Sequence, residues 1–181
     1  MRWFPVLLLA LTVSGARAES VLDDETVETF AAAVGAERLA AWEKDAARLD
    51  AAFVDCEARL DRPTLGIVIP WEIYPNGQVQ YEVKAGRAQF FKKENLVWCG
   101  EVTVNEYSTA GVLKTTCSAD ACVIDQKTKS CWLKGTGRIV IDGKTGISGD
   151  GIYFSSGDFF VKIQSKVTVE TSAINFKGVQ L

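Results

Sequence analysis

The chain has 181 residues, 48% of them hydrophobic, with 20 Lys+Arg against 23 Asp+Glu and no histidine. That mild acidity offers no basic stripe for phosphates and excludes nucleic acid as an expected partner. Without histidine the commonest general base is absent, and five cysteines with no repeated C-x-x-C make no zinc-type metal site.

At the start, Arg2 precedes an apolar run from Trp3 to Val13 and then Ala16-Arg17-Ala18. A basic residue, a short apolar core and an Ala-x-Ala end predict a signal peptide over 1–18, cut after Ala18. The run falls short of the roughly twenty apolar residues a bilayer span needs. The expected product is an exported, soluble periplasmic protein, in a compartment where disulfides form.

Residues 19–62 read as a helical region. Asp23 and Asp24 signal a helix start, Gly35 a break and Arg62-Pro63 a stop. Leu39, Trp42, Ala46, Leu49, Phe53, Cys56 and Leu60 follow one another at intervals of three and four, which aligns them on one helical stripe. The opposite face carries Glu43, Lys44, Arg48, Asp55 and Arg59. Such a stripe packs against its own domain, pairs with the same helix of a second chain, or covers an apolar cavity; the spacing leaves these three open.

From residue 63 to 181 the period changes to two. In Val161–Glu170 apolar residues alternate with Lys162, Gln164, Lys166, Thr168 and Glu170, so one face is buried and one is wet. Turn residues recur at Pro75-Asn76-Gly77, Thr109-Ala110-Gly111, Asp125–Thr128, Asp142-Gly143-Lys144 and Ser156-Gly157-Asp158. Short strands with such punctuation predict an antiparallel sandwich, jelly roll or barrel.

Three stretches share a pattern: KAGRAQFFK, CSADACVID and SGDGIYFSS. A small residue (Ala85, Ala119, Gly149) is followed by Gly86, Asp120 or Asp150. Apolar pairs come next: Ala88/Phe90, Cys122/Ile124 and Ile152/Phe154. Each copy continues through a turn into an alternating strand, carrying Val102 and Val104, then Leu133, Ile139 and Ile141, then Val161, Ile163, Val167 and Val169. One such hairpin cannot bury its apolar face alone, whereas stacked copies make a continuous core. On the alternation, Trp98 and Trp132 fall on the other face, either as protein-contact sites or beneath the helix stripe.

The approach through a turn, the A-D-x-A-x-Y-D-like core seen best in SADACVIDQKTK, and the closing GTGRIVI and SKVTV strands resemble the OstA-like repeats of the periplasmic lipopolysaccharide-transport proteins LptA and LptC. The resemblance covers about residues 70–170 and leaves the helix outside it. It implies a β jelly roll whose apolar interior shields the acyl chains of lipopolysaccharide or another lipid. It also implies end strands that pair head to tail with another copy or with other envelope transport proteins. The expected ligand lining is then Ala88, Phe90, Val102, Val104, Cys122, Ile124, Leu133, Ile139, Ile141, Ile152, Phe154, Val161, Ile163, Val167 and Val169, which would equally serve as a closed core. No cofactor and no catalytic residue is expected. Asp120 and Asp150 read as turn residues rather than a catalytic pair, and the glycines of GKTGISGDG open no helix that could hold a phosphate. The alternative is a structural or adaptor repeat protein that binds protein.

Counting back from the turns, a four-residue loop at Asp125–Thr128 sets Cys122 opposite Cys131, and a loop centred on Thr109-Ala110 sets Cys117 opposite Val102, near Cys99. This predicts disulfides Cys122–Cys131 and Cys99–Cys117, with Cys56 left on the helix; the alternative is that all five are buried small hydrophobes.

Overall fold

A computed structural model of the chain describes residues 9–11, 35–156 and 160–171. Apart from Leu9–Leu11, the segment read as a signal peptide lies outside the described residues, as does the helix start at Asp23-Asp24. Helix α1 spans Ala36–Ala58. The strands are β1 Leu9–Leu11, β2 Thr64–Ile73, β3 Val79–Phe91, β4 Leu96–Tyr107, β5 Leu113–Asp125, β6 Ser130–Ile141, β7 Thr145–Ser155 and β8 Phe160–Thr171. They form one sheet in the order β1-β8-β7-β6-β5-β4-β3-β2, antiparallel from β2 to β8. The short β1 joins the β8 edge in parallel, Leu9 beside Val161 and Leu11 beside Ile163. The fold is mainly β, an antiparallel jelly roll with one amphipathic helix, as the change of period at Pro63 predicts.

The sheet folds over on itself. Tyr81 on β3 and Phe154 on β7 are four strands apart in the order, which would separate them by about 19 Å across a flat sheet. Their ring centroids lie 5.4 Å apart, and Trp71 of β2 stands 5.9 Å from Phe154. The fold line is a transverse row. Ile67 pairs with Ala85, Ala85 with Val102 and Val102 with Ala119; Gly137 pairs with Gly149 further along. Ala85, Ala119 and Gly149 thus sit at one level on β3, β5 and β7. Left-handed backbone recurs beside this row at Gly66, Glu101, Gly135, Gly151 and Lys166, with φ between 54° and 74°.

This row explains the repeat. Strict alternation would place inward residues two apart, yet Ala85 and Ala88 are both inward, as are Ala119 and Cys122. A local kink switches the inward parity, so the motif's offset of three marks the crease. The small residue is small because the fold brings neighbouring strands too close for more. A Cβ at Gly149 would lie 2.9 Å from the Ser165 carbonyl oxygen and overlap Ile163, and one at Gly137 would lie 2.5 Å from Ile152 Cδ1.

Two leaves result, each made of one half of every long strand. The first leaf contributes Tyr81, Val83, Val102, Val104, Ile139 and Ile147 to the interior. The second contributes Ala88, Val97, Cys99, Cys122, Ile124, Cys131, Leu133, Ile152, Val161 and Ile163. The seam is closed by the Trp71–Tyr81–Phe154 rings and by Ser156 Oγ donating to Glu72 Oε1 at 3.0 Å.

Helix α1 lies on the outside of the second leaf. Trp42, Ala46, Leu49, Phe53 and Cys56 bury against Phe91, Leu96, Trp98, Val123, Trp132 and Tyr153, with Leu39 and Leu60 at the ends. All seven residues of the predicted stripe therefore face the sheet. Trp98 and Trp132 are covered by it, and the helix is not a lid over the interior, because it packs on the opposite face. The Asp45 carboxylate fastens it, accepting from Ser130 Oγ at 2.7 Å, Tyr153 Oη at 2.9 Å and Arg48 at 2.7 Å. Arg48 in turn pairs with Asp125 at 2.7 Å.

Candidate functional site

The interior between the leaves is the candidate site, and its chemistry is apolar. Of the expected lining, Ala88, Val102, Val104, Cys122, Ile124, Leu133, Ile139, Ile152, Val161 and Ile163 are each at most 6% exposed. Ile141, Phe154 and Val167 are partly buried against the same cluster. Two stand apart. Phe90 is 44% exposed because β2 begins at Thr64, opposite Ala88, and leaves the last residues of β3 without a partner on that side. Val169 is 57% exposed near the end of β8.

A partly open cavity of about 40 Å³ remains between the leaves. Its wall includes Val104, Leu133, Ile139, Ile152, Phe154 and Val161 from the expected set, together with Tyr81, Cys117 and Cys131; Glu106 and Thr115 supply its polar part. About 10–15 Å³ of such space holds one water, so the cavity takes a few water-sized groups and no acyl chain as it stands. Tyr81 was outside the expected set, as were Trp71, Val83 and Ile147. Tyr81-x-Val83-x-Ala85 does alternate, but these residues precede the repeat core and its pattern gave them no weight. Burial first, then the nearby Glu106 carboxylate, pushes the Tyr81 hydroxyl far above its ordinary range, so it stays neutral beside the cavity. A wider recess of about 230 Å³ between α1 and the sheet has charged walls, where Lys162 meets Glu43 at 2.9 Å. It is unsuited to acyl chains.

The cysteine register differs from the expected one. All five thiols are free, and Cys122 lies opposite Leu133 while Cys131 lies opposite Ile124. Cys117 faces Val104 on one side and Ile139 on the other. The loop has the expected four residues but lies one residue further along the chain, at 126–129 between the paired Asp125 and Ser130, which moves each partner by two positions; Lys129 closes it with a left-handed φ of 59°. On the other hairpin a bulge at Glu106/Tyr107 displaces the count. Burial pushes the Cys117 thiol up to about 12.

No described protein family and no curated protein matches the chain by sequence. The fold is similar to that of solved structures. One of them, LptH of Pseudomonas aeruginosa, described as the LptA-homologous periplasmic component of the lipopolysaccharide transport device, aligns with a TM-score of 0.45 at 8% identity, over 61% of this chain and 94% of that one. Among the described residues, no helix is long and apolar enough to cross a membrane, and no cluster of three or more His, Cys, Asp or Glu could hold a metal ion.

Proposed function

We propose that this chain is a non-enzymatic periplasmic lipid carrier that shelters acyl chains, those of lipopolysaccharide by the sequence resemblance, between the leaves of its folded sheet. The observation that carries the reading is the stacking of Ala85, Ala119 and Gly149 along one crease, with the strands on either side enclosing a continuous apolar interior. Each buried methylene contributes about 0.8 kcal/mol, so a multi-chain lipid needs an apolar wall rather than reactive groups. Because the cavity is small, lipid enters by parting the leaves at the Trp71–Tyr81–Phe154 seam.

The sheet edges support strand pairing with a neighbour, another copy or an envelope transport protein. β2 presents Leu65, Val68 and Ile73, each more than half exposed, on an edge where no further strand pairs among the described residues. At the other edge, Leu9–Leu11 occupies β8; cleavage after Ala18 would free that edge for a partner.

The test is binding of a fluorescent fatty acid and its displacement by lipid A, using delipidated protein. Saturable uptake, competed by lipid A and weakened at least tenfold by Val104→Trp, is expected. Absence of uptake by correctly folded wild-type protein refutes the carrier reading and leaves the protein-binding adaptor.

A further inference from the structure

The register brings two cysteines together that turn counting kept apart. Cys99 on β4 and Cys122 on β5 are direct cross-strand partners, both fully buried and both turned into the interior. Directly opposed residues in an antiparallel ladder have Cα atoms about 4.5–5.5 Å apart, within the roughly 4.4–6.8 Å that a disulfide spans. No other pair has this placement. Cys131 is diagonal to Cys122, and diagonal neighbours lie about 7–8 Å apart. Cys117 is flanked by Val104 and Ile139, and Cys56 is on the far side of the sheet under α1.

We propose that Cys99 and Cys122 are a disulfide site, joined by exchange with a disulfide oxidant as the exported chain folds. The thiolate of one cysteine attacks a sulfur of the oxidant's disulfide, expelling one oxidant thiolate and leaving a mixed disulfide. The second cysteine, deprotonated, attacks the protein sulfur of that mixed disulfide and expels the other oxidant thiolate. Two protein thiols lose two electrons and two protons, and the oxidant becomes two thiols. The neighbouring Cys99 side chain and then burial raise the Cys122 thiol well above its ordinary range, so the closed interior holds little thiolate. Bridging therefore accompanies folding and precedes closure of the leaves. Cys117 and Cys131 stay reduced on the cavity wall, and the odd cysteine is Cys56.

The experiment refolds denatured, reduced full-length protein in a mixture of oxidised and reduced glutathione, alkylates it in denaturant and maps the peptides by mass spectrometry. A single bridge between Cys99 and Cys122 is expected, with Cys56, Cys117 and Cys131 alkylated. Reduction should lower the melting temperature by about 10 °C. Cys131→Ser should keep the bridge, and Cys99→Ser should lose it and leave Cys122 alkylated. Alkylation of all five cysteines in refolded wild-type protein, or a bridge joining any other pair, overturns the assignment. No outcome depends on lipid.

Discussion

Enlarging Gly149 tests the crease directly. Its φ is not in the left-handed region, so a side chain there meets only a steric obstacle. A Cβ would approach the Ser165 carbonyl oxygen to 2.9 Å and overlap Ile163 Cγ2, whereas ordinary contact begins at 3.4 Å. The Ser165 oxygen belongs to the backbone of β8 and cannot rotate away, so the strand must move by about half an ångström. Overpacking of this kind costs about 1–3 kcal/mol, and Gly149→Ala is expected in that range. Gly149→Val should exceed it. For a domain of this size the alanine change corresponds to a fall of about 2–12 °C in melting temperature. Gly77→Ala is the comparison. Nothing lies within 4 Å of its Cβ, and its φ of 85° leaves only backbone strain of about 1–2 kcal/mol. Urea unfolding monitored by tryptophan fluorescence measures both. If Gly149→Val unfolds within about 0.5 kcal/mol of wild type, the leaves do not meet at that row and the crease is wrong.

The helix yields the other predictions. Asp45→Asn keeps the shape but removes the charge that accepts from Ser130, Tyr153 and Arg48, while Arg48 keeps Asp125, so about 1–2 kcal/mol of stability should be lost in urea titrations. For pH, burial pushes the Asp45 carboxyl up, but hydrogen bonds from Ser130, Arg48 and Tyr153 outweigh this and hold it below the usual range. Its folded pKa being lower than its unfolded one, its contribution is complete above about pH 5 and declines as pH falls through the unfolded and then the folded value. Melting curves from pH 7 to pH 2 should show this decline, smaller in Asp45→Asn. Phe53→Ala, at a site 2% exposed and 6.5 Å from the Trp98 ring, should cost about 3–5 kcal/mol by denaturation and red-shift the tryptophan emission.

What could be read in advance follows from how each feature writes itself into the chain. The helix stripe was legible because its buried residues keep a strict interval from Leu39 to Leu60, and the aromatic face it needed was visible as Trp98 and Trp132 falling out of phase with the interior. The repeat was legible because the crease demands a small residue and then a three-residue step, and side-chain size is written in sequence. The cysteine partners were not legible. Their register depends on Lys129, a non-glycine residue in a left-handed conformation, and on a bulge at Tyr107, neither of which has a compositional mark. Closure of the seam was equally hidden, because Trp71, Tyr81 and Phe154 meet only after strands far apart in the order are brought face to face.

The rungs of the ladder run from β2 to β8 on both sides of the fold line, so the two leaves behave like facing pages joined along one spine. Rotation about that spine would spread them while the interstrand amide bonds stay made. What must give way are the apolar contacts between the leaves and, on the free margin, the three-ring clasp, the Glu72–Ser156 link and the hydrogen bond from Lys129 Nζ to the Trp71 carbonyl. A sheet bound in this manner can change its inner volume without unfolding any strand.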